Sequence, residues 1–161
     1  MNFNYILNKN NTTKATVQTY FYQNKSKIIL NSILCAVIFA AALVMGIKTK
    51  ERLMFLICIV CAIRVISIFY TPYSNAKISA GAFYDNREFS FELIENGVAI
   101  TPKDSERKEI LFGEKVKAFE TKDFFIVLSN SRFFPIPKEF MDNEQISTLS
   151  EVIFKTFGNK K

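Results

Sequence analysis

Two long apolar stretches dominate the pattern of hydrophobic and polar positions. Residues 28–47, IILNSILCAVIFAAALVMGI, contain only two polar side chains, Asn31 and Ser32. Residues 53–70, LMFLICIVCAIRVISIFY, contain a single charge, Arg64. As helices they would be about 30 and about 27 Å long, close to the thickness of a bilayer's hydrocarbon core. Because only KTKER separates them, we expect a transmembrane hairpin.

The residues before the first apolar stretch predict a strand and then a helix. Residues 2–8 alternate aromatic or aliphatic side chains with polar ones, mostly asparagine, which is typical of a half-buried strand. A lone strand is marginal in water, so we expect this one to pair with a sheet supplied by the second half of the chain. The polar run from Asn10 to Thr13 offers capping residues for an amphipathic helix that leads to residue 27.

The second half reads as short antiparallel strands. Pro72 is predicted to end the second helix and to start a polar linker over 71–82. Alternating apolar residues around Asn96-Gly97 predict a hairpin, with positive φ at both turn residues. The KEILFGEKVKAFET segment predicts one or two strands, and the apolar DFFIVLS segment predicts a central strand. The next strand contains Pro135, which cannot donate to a strand ladder, so we expect this strand to lie at an edge or to be kinked at the proline.

The chain closes with an amphipathic helix. Asp142 to Gln145 supply its start and Gly158 its stop, and its apolar face is formed by Ile146, Leu149, Ile153 and Phe157. We therefore expect an α+β membrane protein: a two-helix transmembrane hairpin followed by a PH-like antiparallel β-sheet domain closed by a C-terminal helix. The predicted divisions are 1–27 (strand and amphipathic helix), 28–70 (hairpin), 71–82 (linker) and 83–161 (PH-like domain).

Residues 89–140, FSFELIENGVAITPKDSERKEILFGEKVKAFETKDFFIVLSNSRFFPIPKEF, resemble the C-terminal domain of the YcxB-like family of small bacterial membrane proteins. The similarity lies in a segment with an E-T-K-D/E core, here VKAFETKDF from Val116 to Phe124, and in an I-P-K element closed by Phe, here IPKEF from Ile136 to Phe140. It covers residues 83–157 well, and the strand, helix and two spans before them fit the family's layout. The resemblance implies a PH-like fold in a bacterial inner membrane and brings no established reaction.

The chain departs from this family in one respect. Relatives often carry a longer basic helix between the second span and the domain, whereas here Lys77 is the one basic residue between that span and Arg87. A role for such a helix at the membrane surface is therefore not implied for this chain.

The charge is divided unevenly along the sequence. Residues 1–82 hold nine Lys/Arg and one acid, while residues 83–161 hold twelve Lys/Arg and fourteen acids, for a net charge of +6. The mixed second half argues against nucleic-acid binding. Basic residues near the spans number six on the side of the termini and three in the loop: Lys9, Lys14, Lys25, Lys27, Lys77 and Arg87 against Lys48, Lys50 and Arg52. Both termini are therefore predicted to be cytoplasmic.

Arg64, Lys25 and Lys27 are the residues predicted to orient the hairpin. Arg64 lies six residues, about 9 Å by helical rise, from the end of its span, so its side chain can reach the head groups on that side. The alternative is an oligomeric pore or small-solute transport assembly with a polar lining of Asn31, Ser32, Arg64 and Ser67. Replacing Arg64 by Leu would abolish activity in that case and would be nearly neutral for a side chain that only snorkels.

Candidate chemistry is sparse. The chain has no histidine, which removes the commonest general base and a common metal ligand. Cys58 and Cys61 form a C-x-x-C sequence, but inside a span such thiols pack as small hydrophobic groups. We therefore expect a non-enzymatic protein without metal or cofactor.

The leading expectation is a membrane-anchored interaction or regulatory module. Its partners would be the bilayer and either another protein or a second copy, and Phe133 and Phe134 are the predicted contact surface. A lipid head-group binder is the other alternative, with Lys115, Lys117 and Lys122 as the basic cluster, although acidic residues are interleaved with these lysines.

Overall fold

The computed structural model describes residues 1–83, 86–103, 105–113, 115–130 and 132–158. The chain divides into two compact units. The sheet unit comprises Met1–Thr19 and Ala76–Lys161, and the helical unit comprises Tyr20–Asn75. The elements, in chain order, are β1 (Asn2–Leu7), α1 (Lys9–Thr49), α2 (Arg52–Phe83), β2 (Arg87–Ile94), β3 (Gly97–Pro102), β4 (Lys108–Leu111), β5 (Val116–Glu120), β6 (Phe124–Ser129), β7 (Arg132–Pro137), a 3-10 turn (Lys138–Phe140) and α3 (Asn143–Phe157).

The described strands of the sheet unit form two antiparallel sheets. One has the order β1-β2-β3-β4 and the other the order β5-β6-β7. Apolar side chains from both sheets and from α3 belong to one buried cluster, which includes Phe91, Ile100, Phe125, Ile136 and Leu149. The prediction of an α+β protein with antiparallel sheets is confirmed, as are the central position of β6 and the edge position of β7.

Strand β1 pairs with β2 along its whole length, as the alternation of residues 2–8 predicts. Phe3 lies opposite Phe91 and Tyr5 opposite Phe89, with the Tyr5 and Phe89 rings stacked at 5.3 Å between centroids. Leu7 is buried at 1% exposure, while Ile6, on the opposite face of the strand, is 41% exposed. Residues remote in sequence thus complete one sheet.

The β2–β3 hairpin is where predicted, but its turn differs. Ile94 pairs with Gly97, so the two turn residues are Glu95 and Asn96. Neither Asn96 nor Gly97 has positive φ, so that prediction is wrong. Glycine is required at position 97 for another reason: a Cβ there would clash with the carbonyl oxygen of Ile110 on β4. The close approach of β4 to β3, rather than the geometry of the turn, excludes a side chain at position 97.

The prediction that Pro72 ends the second helix is wrong. Helix α2 runs through Pro72 to Phe83, so residues 71–82, expected as a linker, are helical. A proline inside a helix costs about 3 kcal/mol, because it removes one backbone hydrogen bond and its ring clashes with the carbonyl group of the preceding turn. Packing further along offsets that cost, because Ala76 and Ala80 lie one helical turn apart and are each 1% exposed.

Helix α1 begins earlier than the polar run Asn10 to Thr13 predicts. The Asn8 side chain accepts the backbone N–H of Asn11 at 2.8 Å, which makes Asn8 the capping residue. Residues 9–49 then form one helix without a break. Within the sheet unit, Ala15 on this helix is completely buried with Phe119 of β5 and Ile126 of β6.

Helix α3 matches its prediction at both ends. The Asp142 side chain accepts the backbone N–H of Gln145 at 2.7 Å, and the Gln145 side chain accepts that of Asp142 at 3.1 Å. Gly158 ends the helix in the left-handed conformation, with φ of 62°. Leu149 and Ile153 are buried on its inner face.

In the helical unit, α1 and α2 contact each other as an antiparallel pair. The Phe21 and Phe69 rings stack at 5.8 Å, and the Cys58 thiol approaches the Phe39 carbonyl oxygen at 3.7 Å. Near the connection, Gly46 faces Met54 closely enough that a Cβ on residue 46 would lie 3.1 Å from the Met54 Cβ. Both helices are long and apolar enough to cross a membrane.

We predict that Leu7→Ala destabilises the sheet unit by about 2–5 kcal/mol, because it empties a buried site in β1. Ile6→Ala is the matched control, since the same strand exposes that side chain. Denaturant unfolding of the purified full chain, followed by tyrosine fluorescence, measures both. Equal destabilisation by the two variants would contradict the role of β1 in the core.

Candidate functional site

The helical unit presents an apolar surface. In the most apolar 18-residue window of each helix, only 6% of the α1 residues and 11% of the α2 residues are buried. Leu30, Val60 and Ile66 are all more than 60% exposed. Soluble proteins rarely leave so large a contiguous apolar area in water. Such a surface is more favourable in a hydrocarbon environment than in water.

The residues predicted to orient the hairpin are exposed in the structure. Arg64, Lys25 and Lys27 all have exposed side chains within the helical unit. In contrast, the two cysteines of the C-x-x-C sequence, Cys58 and Cys61, are buried at 7% exposure each. Among the described residues, no group of three or more His, Cys, Asp or Glu residues is arranged to hold a metal ion.

The two phenylalanines of the predicted contact surface point to opposite faces of β7. Phe134 packs against the main core cluster, and Phe133 packs against the cluster that contains Ala15. Both are half-buried, so they do not form one exposed patch. The predicted basic cluster, Lys115, Lys117 and Lys122, is exposed.

Asp123, beside the second sheet, forms side-chain contacts with the first turns of α1. Its Oδ2 accepts the Gln18 Nε2–H at 2.6 Å and lies 3.1 Å from the Lys14 Nζ. The Gln18 hydrogen bond is the largest of the effects that hold the pKa of Asp123 below its ordinary value of 3.8. Burial opposes it, and the hydrogen bond and charge of Lys14 lower the pKa further. Nearby, the Asn11 side chain donates to Glu139 at 2.7 Å.

A half-buried ion pair connects β5, the 3-10 turn and α3. Lys138 Nζ lies 2.7 Å from Glu120 Oε1 and donates to the Thr121 carbonyl oxygen at 2.7 Å. The other Glu120 oxygen accepts the Ser150 hydroxyl at 2.7 Å. The Lys138 ammonium also stands 4.8 Å from the centre of the Phe125 ring. Both charged groups are therefore engaged in holding the elements around the turn together, which is a structural role.

A pocket of about 350 Å³ opens on the other sheet, and the sequence patterns did not reveal it. Three of its polar residues are in register across β1, β2 and β3: Asn4 pairs with Ser90, and Ser90 pairs with Thr101. Lys103 and Glu88 line it as a 2.7 Å ion pair. The sequence shows the alternation of polar residues along each strand, but it does not show the register between the strands.

Apolar side chains complete the pocket. Phe140, from the 3-10 turn, and Ile6, from β1, both line it and are 37% and 41% exposed. The pocket therefore combines an aromatic ring with neutral hydrogen-bonding groups, the usual composition of a small-molecule site.

Comparison of the chain with protein-family models, with curated proteins and with solved structures gives no match.

We predict that Asp123→Asn lowers the stability of the sheet unit by about 1 kcal/mol at neutral pH, because it removes the charge that Gln18 and Lys14 bind. The contribution of Asp123 is complete above pH 3.8 and is lost as the pH falls through its lower folded-state pKa. The difference between wild type and variant should therefore shrink in acid. Urea unfolding between pH 7 and pH 3 measures it.

Glu151→Gln is the matched control for this experiment. The pKa of Glu151 is also lowered, by its hydrogen bond and charge contact with Lys155, but that pair lies on the exposed surface of α3. We expect this variant to leave the urea midpoint unchanged. A difference for Asp123→Asn that stays constant with pH would show that the Asp123 charge does not hold α1.

Proposed function

We propose that this chain is a membrane-anchored, non-enzymatic interaction or regulatory module, inserted through a two-helix hairpin. The observation that carries the proposal is the exposure of the most apolar segments of α1 and α2, which are only 6% and 11% buried. A bilayer removes such a surface from water without any partner chain. The bilayer is therefore the first partner, and a second protein or another copy is the other.

The sheet unit supplies the part of the module that meets a partner. A four-stranded and a three-stranded antiparallel sheet share one core, and a C-terminal helix packs on that core. This arrangement supports the proposal of a PH-like domain and of a YcxB-like protein. The residues behind the family resemblance are consistent with it, because Glu120 and Lys138 from its two motifs form the half-buried ion pair.

The orientation in the proposal follows from charge. Six basic residues flank the spans on the side of the termini and three lie at the opposite ends of the spans, so both termini face the cytoplasm of a bacterial cell. The exposed side chain of Arg64 supports a snorkelling role, since it is free to extend along the helix towards the head groups. No acidic residue occurs in either span to pair with it.

Cysteine accessibility tests the proposal. In a Cys35→Ala/Cys58→Ala/Cys61→Ala background, Glu51→Cys reports on the connection between α1 and α2, and Lys122→Cys reports on the sheet unit; both positions are exposed. In sealed inverted vesicles, we expect a membrane-impermeant maleimide to label Lys122→Cys and to spare Glu51→Cys. In sealed right-side-out vesicles, the pattern should reverse.

Detergent is the internal control for this experiment, because both cysteines should react once the membrane is dissolved. Equal labelling of the two positions in either type of sealed vesicle would contradict a two-pass hairpin. Labelling of Lys122→Cys only in right-side-out vesicles would retain the hairpin and contradict the cytoplasmic orientation.

A further inference from the structure

The pocket on the first sheet contains three polar side chains that make no hydrogen bond within the described part of the chain. Among the described residues, none donates or accepts a hydrogen bond with the side chains of Asn4, Ser90 or Thr101. They stand side by side on adjacent strands, and strands lie about 4.8 Å apart, so the row is roughly 10 Å long. The amide and the two hydroxyls each donate and accept hydrogen bonds. Together they match a ligand that carries several hydroxyl groups along one side.

The charges of the pocket disfavour an anion. Lys103 lines it, but this lysine is paired with Glu88 at 2.7 Å. A phosphate or carboxylate would have to compete for that ammonium group while meeting the Glu88 carboxylate. The exposed lysines in and beside β5, Lys115, Lys117 and Lys122, do not line the pocket. A neutral ligand can instead bond to both members of the ion pair without separating them.

The apolar side of the pocket requires that the ligand also carry an apolar surface. Phe140 offers part of an aromatic ring, and Ile6 offers an aliphatic surface. A saccharide ring carries C–H bonds on its faces and hydroxyl groups around its rim, so it satisfies both kinds of surface at once. The volume of about 350 Å³ lies near the lower end of the range for small-molecule sites, about 300–1,000 Å³.

We propose that this pocket binds a neutral saccharide, through the row of Asn4, Ser90 and Thr101 and the ring of Phe140. The same chemistry has two sources, a free sugar and the head group of a neutral glycolipid. The free-sugar case is independent of the proposed function, whereas the glycolipid case rests on it.

The test uses the full chain in phosphatidylcholine nanodiscs prepared without glycoside detergents, which would themselves compete for the site. In the first arm, maltose, lactose and sucrose are titrated, and binding is followed by saturation-transfer NMR. In the second arm, the same nanodiscs are mixed with phosphatidylcholine vesicles that contain diglucosyl diacylglycerol, and co-flotation is measured. Saturable binding of any of the three sugars without co-flotation assigns a free sugar, and co-flotation without sugar binding assigns a glycolipid.

Asn4→Ala is the decisive variant, and Asn2→Ala is its matched control. Both asparagines lie in β1 with exposed side chains on the same face, but only Asn4 lines the pocket. We expect Asn4→Ala to weaken binding several-fold, up to about tenfold, as the loss of one hydrogen bond allows. Asn2→Ala should bind like wild type. Unfolding midpoints of both variants show whether β1 is intact.

Three results would overturn the proposal. The first is no saturable binding of any of the three sugars and no co-flotation with glycolipid vesicles. The second is an equal effect of Asn4→Ala and Asn2→Ala in variants with wild-type midpoints. The third comes from titrating inorganic phosphate into the same nanodiscs: saturable phosphate binding that Asn4→Ala removes would make the ligand an anion. Each of these results can occur together with the expected cysteine-labelling pattern. The experiments can therefore reject the saccharide site without rejecting membrane anchoring.

Discussion

The pairing of β1 with β2 is the constraint on which the rest of this structure depends. Residues 2–7 lie beside residues 87–92, yet two long apolar helices separate them in sequence. The chain must therefore return to the sheet from which it departed. If the helices cross a bilayer, an even number of crossings is the only arrangement that keeps β1 and β2 on one side. Burial of Tyr5 and Leu7, at 2% and 1% exposure, makes the pairing energetically important.

The same constraint gives the two helices a second role in addition to the membrane insertion that we propose. The first turns of α1 are held on the second sheet by the Asp123 contacts and by the complete burial of Ala15. At the other end, Ala76 and Ala80 extend α2 into the sheet unit beyond Pro72. The apolar segments are thus an insertion in one discontinuous domain rather than a separate anchor joined by a linker.

Local patterns in the sequence were sufficient to predict much of this fold. The period of two in residues 2–8, the capping residues of α3 and the proline in β7 each correspond to an observed element, because each depends on neighbours in sequence. The helical stretch past Pro72 was not predictable in this way, since burial of Ala76 and Ala80 decides it. The requirement for Gly97 likewise comes from β4, whose approach no turn propensity encodes.

The same distinction, between features set by local sequence and features set by tertiary contacts, applies to the candidate sites. The exposure of charged side chains such as Arg64 and Lys122 can be predicted from the sequence, because it does not depend on packing against other residues. The two phenylalanines of β7 were predicted as one surface, but strand alternation sends Phe133 and Phe134 to different clusters. The pocket could not be found from the sequence, because it requires the register of Asn4 against Ser90 across more than eighty residues of chain.

A disulfide across β1 and β2 tests the central claim most directly. In the cysteine-free background, Asn2→Cys/Glu92→Cys joins directly opposed residues, and Asn2→Cys/Ser90→Cys, displaced by two positions, is the control. Membranes are oxidised and digested with trypsin, and mass spectrometry looks for peptide 1–9 linked to peptide 88–103. We predict the linked pair within one chain for the opposed cysteines and little for the control. Equal yields from both pairs, or a link formed only between chains, would contradict a domain closed by its own first strand.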